Sequence, residues 1–226
     1  MDDPFNIPTE VPAMTLKEVV LFPKVMLPLK IFEERYRKML FDVLNTNRMF
    51  AVVCQRENNE ADHQLQEPPF EVATVGLVRL SKKQEDGTSF VILQGLQRMR
   101  IRGIVQEHPY RVIKVELMES ILDEPFNDIR EKLVAQMIRN KDLGGEVTDE
   151  ILSYLCPMQD DDAFVDLAAF TLCKHTIRKQ AMLEVVRLRR RAKMLLDDLM
   201  RENNHLQISR HLNEEWGDES GDFNQN

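Results

Sequence analysis

The chain has 226 residues, a net charge of −8 and ordinary apolar and charged fractions, which bound it to one large or two small soluble domains with a sizeable core. The acidic balance excludes nonspecific nucleic-acid binding by the whole surface, while leaving room for a local basic face. No apolar run approaches the ~20 residues of a membrane span. The start, Met1-Asp2-Asp3-Pro4, lacks the basic region and apolar stretch of a secretory signal. Cys54, Cys156 and Cys173 are scattered, with no C-x-x-C pair and no histidine at ligand spacing. That usage reads as reduced thiols in a cytoplasmic protein.

Residues 1 to 10 read as a loose lead-in. Val19-Val20-Leu21-Phe22-Pro23 is short and β-branched, and reads as strand. Pro23 and Pro28 bracket Val25-Met26-Leu27, so this piece is extended or an edge strand, since proline cannot donate to a ladder. From Glu33 the apolar positions Tyr36, Met39, Leu40, Val43 and Leu44 fall on one face of a helix. Met49 to Cys54 is continuously apolar, the pattern of a strand buried on both faces. Gln55 to Pro69 is a polar surface loop containing Asn58-Asn59 and His63.

From Val72 to Met118 the period is two. Val72 to Leu80 is one strand, Glu85-Asp86-Gly87 supplies a turn, and Ser89 to Arg102 returns as a long strand. Gly95 interrupts it and predicts a bulge or bend. Arg111 to Met118 alternates again. About six strands and one early helix make a compact, mostly antiparallel barrel or sandwich.

At Asp123 the pattern turns helical. Phe126, Ile129, Leu133, Met137 and Ile138 share a face that ends at Gly144-Gly145. Thr148 caps a short helix stopping before Pro157, and Asp160 or Asp161 caps another that carries Phe164, Leu167, Ala168 and Leu172. Thr176 starts the last and longest helix. Its seam of Ala181, Val185, Leu188, Ala192, Leu195, Leu199 and Leu206 recurs at alternating four and three, with Glu202 the one break, over a rod roughly 45 Å long. Such a seam packs on the preceding helices or, alternatively, on another chain. The end, Glu214 to Asn226, is acidic and reads as disordered, with Trp216 as a lone aromatic that docks it. The expected divisions are therefore 1–122, a β-barrel; 123–213, a helical bundle; and 214–226, a tail.

The chain carries no P-loop, no G-x-S-x-G elbow and no S-x-x-K arrangement. His63, His108, His175, His205 and His211 fall in loops or on polar helix faces, without paired ligands. Adjacent acids such as Glu33-Glu34 and Asp197-Asp198 point about 100° apart on a helix and do not share a site. The expectation is a protein without catalytic residues, cofactor or metal. Arg98, Arg100 and Arg102 alternate with Met99 and Ile101, giving one basic row on a strand. That row is a candidate for RNA or another anion, although no aromatic interleaves with it to stack bases. A second basic cluster, Arg187 to Lys193, wraps several faces of the last helix beside Glu184, Asp197 and Asp198.

Leu21-Phe22-Pro23, Leu27-Pro28-Leu29, Ile31-Phe32-Glu33, Arg35-Tyr36 and Met39 together resemble the opening signature of the Lon protease N-terminal, substrate-binding domain. Gly95-Leu96-Gln97-Arg98-Met99-Arg100-Ile101 is similar to that family's glycine-to-arginine strand motif, and Asp166-Leu167-Ala168 before a long helix to its second subdomain. The resemblance covers residues 11 to about 200. It implies an α+β fold, a PUA-like pseudobarrel followed by a helical bundle ending in a long helix, and a role in recognising protein segments. Full Lon proteases continue into an ATPase module and a Ser-Lys peptidase; this chain stops before either, so it resembles a stand-alone Lon-domain protein, and proteolysis is not carried over. The function expected is a noncatalytic module that captures unfolded or flexible polypeptide, as an adaptor or accessory factor beside a protease or chaperone. An RNA-binding protein using the basic barrel face is the alternative. Phe22, Met26, Phe32 and Tyr36, around the proline-bracketed segment, are the candidate peptide contacts. Self-association through the last helix is a further expected contact.

Overall fold

A ring of strands closes here because one strand is long enough to serve three partners. The computed structural model describes residues 5–57, 67–122 and 125–219, with side chains in the last helix as far as Leu212. His63, Asn58-Asn59, the middle of the polar loop, Asp123, the Trp216 side chain and residues 220–226 lie outside that description. The strands are β1 (Glu10–Leu16), β2 (Met26–Ile31), β3 (Met49–Cys54), β4 (Val72–Lys83), β5 (Ser89–Gln106) and β6 (Arg111–Met118), with helix α1 (Glu34–Leu44) between β2 and β3. Neighbours run β2-β5-β4-β3-β1-β6, and β5 also pairs with β6, closing five strands on themselves. The β1–β3 pair is parallel; the other pairs are antiparallel. The first part of β5, Ser89 to Gln94, pairs with β2, and its later part, from Arg98, pairs with β6. A register shift between Val75 and Gly76, opposite Gln97 and Gly95, is the expected bulge.

The barrel interior is filled by Val11, Ala13, Met49, Ala51, Val53, Val75, Met99 and Ile113 among others. Every residue of β3 is buried, as its unbroken apolar run predicts. Helix α1 buries Tyr36, Met39, Leu40 and Val43, the face its spacing indicated.

One early expectation is corrected. The first strand is Glu10–Leu16, and Val20-Leu21-Phe22 is buried but irregular. That segment finds its hydrogen bonds singly: the Thr74 hydroxyl donates to the Leu21 carbonyl at 2.6 Å, and Lys24 N donates to Gly95 O at 2.8 Å. The proline-bearing piece is the edge strand its prolines predict. β2 lies outside the ring, paired to β5 alone.

The chain divides into two compact units, Met1–Ile121 with Lys174–Val186, and Leu122–Cys173 with Arg187–Asn226. The expected single long helix is two helices: α5 (Thr176–Glu184) belongs to the first unit, and α6 (Leu188–Glu219) to the second. Val185 is extended, with φ −87 and ψ 107, and the Val186 carbonyl accepts from Ile121 N at 2.9 Å. Two β-branched valines thus leave the helix for a strand-like contact. In the first unit α5 packs on the barrel, where Gln180 Nε2 donates to Val72 O at 2.9 Å.

The second unit also holds α2 (Asn127–Asp142), α3 (Asp149–Leu155) and α4 (Asp161–Leu172). Thr148 and Asp160 cap α3 and α4 through their side chains, as read from sequence. Leu188, Ala192, Leu195 and Leu199 are buried, and the seam continues in Asn203, whose Oδ1 accepts from Asn140 Nδ2 on α2 at 2.8 Å. Helix α6 runs to Glu219, so the backbone from Glu214 to Glu219 is helical where disorder was expected. Extending an existing helix carries no nucleation cost, which composition alone does not register.

Candidate functional site

The exposed edge of the sheet is built by β2. Its six residues, Met-Leu-Pro-Leu-Lys-Ile, alternate: Leu27, Leu29 and Ile31 turn inward, while Met26, Pro28 and Lys30 turn out. Register then decides what lies beside them. Pro28 stands opposite Ile92 and Lys30 opposite Phe90 on β5; Leu80 stands opposite Ile92 and Lys82 opposite Phe90 on β4. Directly opposed residues of antiparallel strands share a face about 5 Å apart. The outer face therefore carries two cross-strand rows, Leu80–Ile92–Pro28 and Lys82–Phe90–Lys30, with Met26 beside the first.

That face is open. Met26 is 49%, Leu80 50% and Phe90 40% exposed. An isolated exposed apolar residue is ordinary, but several in adjoining rows make a patch of the kind that binds partners. Among the described residues the far side of β2 has no strand partner, and Pro28 offers no N–H there or elsewhere. Beyond Phe90 the sheet ends at the β4–β5 hairpin, where Gly87 takes φ +80. A shallow cavity of about 700 Å³ lies there, lined by Lys30, Lys82, Lys83, Asp86, Thr88 and Phe90. The Asp86 carboxyl is held below its ordinary pKa mainly by hydrogen bonds from the Thr88 hydroxyl and amide, with Lys30 and Arg37 adding to the effect.

Of the four candidate peptide contacts, two lie in the open. Met26 is on this face, and Phe32, 62% exposed, follows β2 directly. Phe22 is fully buried, and Tyr36 is buried with its hydroxyl bridging the backbone of Thr15, donating to the carbonyl at 3.1 Å and accepting from the amide at 3.2 Å. Burial pushes the Tyr36 phenol up to about 12. Phe22 and Tyr36 are therefore core residues, a correction to the candidate set. The basic row is corrected likewise. Arg98 points to the outside of the barrel, but α5 covers it there; it is 2% exposed, and its Nε donates to Leu183 O at 3.1 Å. Arg102 is engaged by Glu116 at 2.6 Å, which leaves Arg100 without a continuous basic row around it.

Lys30, Leu80, Lys82, Phe90 and Ile92 were missed. Counting outward from the Asp86-Gly87 turn pairs Lys82 with Phe90, so part of the face was available in the sequence. The β2–β5 pairing, between segments about sixty residues apart, was not.

Another concavity, of about 310 Å³, lies between α1 and the β5–β6 turn, but its charges are mutually satisfied. Arg35 is bidentate to Glu67 at 2.7 and 2.9 Å, and Arg111 binds Glu107 and the Thr15 hydroxyl. Among the described residues no cluster of three or more His, Cys, Asp or Glu is placed to hold a metal ion. No helix among them is long and apolar enough to cross a membrane.

The family model for the ATP-dependent protease La (LON) substrate-binding domain matches residues 10–201. Curated relatives include the Lon protease of Dictyoglomus thermophilum, 24% identical over 212 residues that make up 93% of this chain and 26% of the relative. The Lon protease of Anaeromyxobacter dehalogenans is 30% identical over 212 residues, 90% of this chain and 24% of the relative. The chain thus spans about a quarter of the length of the curated relatives it matches. Among solved structures, the Lon N-terminal domain protein from Xanthomonas campestris has a TM-score of 0.64 at 20% identity, covering 84% of this chain and 98% of that one. The N-terminal domain of the Mycobacterium avium complex Lon protease has a TM-score of 0.62 at 16% identity, with the same coverage. These structural likenesses carry the fold.

Proposed function

The chain belongs to the Lon substrate-binding domain family, and on that premise we propose that it is a noncatalytic module that holds unfolded or flexible polypeptide along the β2 edge. The observation that carries this reading is the open edge strand joined to the apolar row Leu80–Ile92–Pro28 and to Met26. An extended segment added beside β2 would draw affinity from main-chain hydrogen bonds and selectivity from side chains resting on that row. Pro28 removes one donor, which discourages indiscriminate edge pairing and narrows the registers a segment can take. Phe32, exposed at the end of β2, extends the apolar contact. The module would act in the cytoplasm, presenting captured segments to a protease or chaperone partner.

The test is binding of a fluorescently labelled, permanently unfolded polypeptide to the full chain and to the double variant Met26→Asp, Leu80→Asp. Both positions are about half exposed, so the urea midpoint should be little changed. The expected result is a loss of affinity of about tenfold or more. Unchanged affinity in the folded double variant would overturn the reading.

A further inference from the structure

We propose that the β2 edge selects segments of alternating pattern, apolar-x-apolar-x-acidic when read in the direction Met26 to Lys30, whose acidic residue pairs with Lys30. The inference rests on the edge reading above and deepens it, because the register fixes what each position of an added strand would meet. Side chains of an added strand alternate, and those on the outer face extend the existing cross-strand rows by one member. The residue continuing the row Leu80–Ile92–Pro28 meets Pro28 directly, with Ile92 and Leu80 continuing the apolar row about one and two strand spacings further in. The residue beside Met26 meets a half-exposed thioether, which adapts to varied apolar shapes. The residue continuing Lys82–Phe90–Lys30 meets an ammonium group at the edge, with a second lysine in the same row and Lys83 lining the adjoining cavity.

Lys30 and Lys82 carry no ion pair among the described residues. The nearby Asp86 carboxylate feels Lys30 without forming an ion pair with it among the described residues, and its Oδ1 accepts both the Thr88 amide and the Thr88 hydroxyl. The row thus presents positive charge beside an exposed phenyl ring on an otherwise acidic protein. An acidic residue at that place forms an opposite-charge cross-strand pair; a lysine there is repelled. The apolar rows confer affinity, and the Lys30 row fixes register and charge preference. Since the charges are exposed, the preference shrinks as salt rises.

The probes are two synthetic strand-forming peptides sharing an Ile-Thr-Val-Thr core, one continuing with Glu and the other with Lys. They are titrated against the full chain, Lys30→Glu and Lys30→Arg. The unmodified chain and Lys30→Arg should prefer the Glu peptide by on the order of fivefold, and Lys30→Glu should reverse that preference. Lys30 is exposed, and an unchanged urea midpoint confirms that each variant folds. If both peptides bind alike to all three proteins while Met26→Asp, Leu80→Asp abolishes both, the edge reading stands and the charge selection is wrong. If neither peptide binds, the edge reading and this inference fall together.

Discussion

A Cβ placed on Gly95 would lie 2.1 Å from the carbonyl oxygen of Phe22. The two backbones approach this closely because Lys24 N donates to Gly95 O and Gly95 N donates to Val25 O, each at 2.8 Å. This contact anchors the turn before β2 to the middle of β5, and so determines where the edge strand begins. Gly95→Ala must displace backbone on one side, at a cost of about 1–3 kcal/mol or more. Urea denaturation measures that loss. Polypeptide affinity should weaken with it, since the start of β2 is displaced.

Arg98 and Arg100 occupy equivalent places in the strand alternation and differ in cover. Arg98→Ala removes a buried guanidinium and leaves the Leu183 carbonyl without its donor, costing about 1–3 kcal/mol. Arg100→Ala, on exposed surface, should stay within about 0.5 kcal/mol. Paired urea curves separate the two. Equal and negligible effects would return Arg98 to the surface.

In the second unit, Arg191 is fully buried, bonded to Asp162 and with its Nε 3.0 Å from Oδ1 of the buried Asp166. Arg191→Met strands the Asp166 carboxylate and should cost about 3–5 kcal/mol. Adding Asp166→Leu removes the stranded charge and should recover much of that loss. A double-mutant cycle on urea midpoints reads the coupling.

Much of the fold follows from short-range pattern. The apolar run of β3, the Asp86-Gly87 turn, the face of α1, the Ile129, Leu133 and Met137 stripe of α2 (Ile138, expected with it, is exposed) and the caps at Thr148 and Asp160 each reflect physics confined to a few neighbouring residues. The features that were hidden depend on distant partners. The seam from Ala181 to Leu199 keeps its period straight through the break at Val185, because the exit from the helix is stabilised by Ile121, some sixty residues away. Glu10–Leu16 contains a proline and is flanked by polar residues, and its strand character comes from pairing with β3 and β6. Among the candidate site residues, Met26 could be placed on an edge from its prolines alone. Arg98 could not be assigned to the interior, because nothing in the alternation of β5 records that α5 covers it.

Stability at high pH should carry the mark of Tyr36. Burial raises its phenol from 10.0 to about 12, so the folded chain keeps a proton that the unfolded chain gives up near pH 10. Its contribution is complete below about pH 10 and is lost as pH rises towards 12. The Cys54 thiol, raised from 9.0 to about 11 by burial, acts in the same direction between those values. Urea midpoints taken from pH 8 to 12 should fall through this window, and Tyr36→Phe should flatten the upper part. A slope unaltered by that substitution would place the titration elsewhere.

The most direct measurement of the central claim is amide hydrogen exchange of the full chain with and without a saturating, permanently unfolded polypeptide. Binding along the edge predicts slowed exchange within Met26–Ile31, while the already protected β3 is unchanged. Slowed exchange confined to other segments, with β2 exchanging as in the free chain, would contradict it.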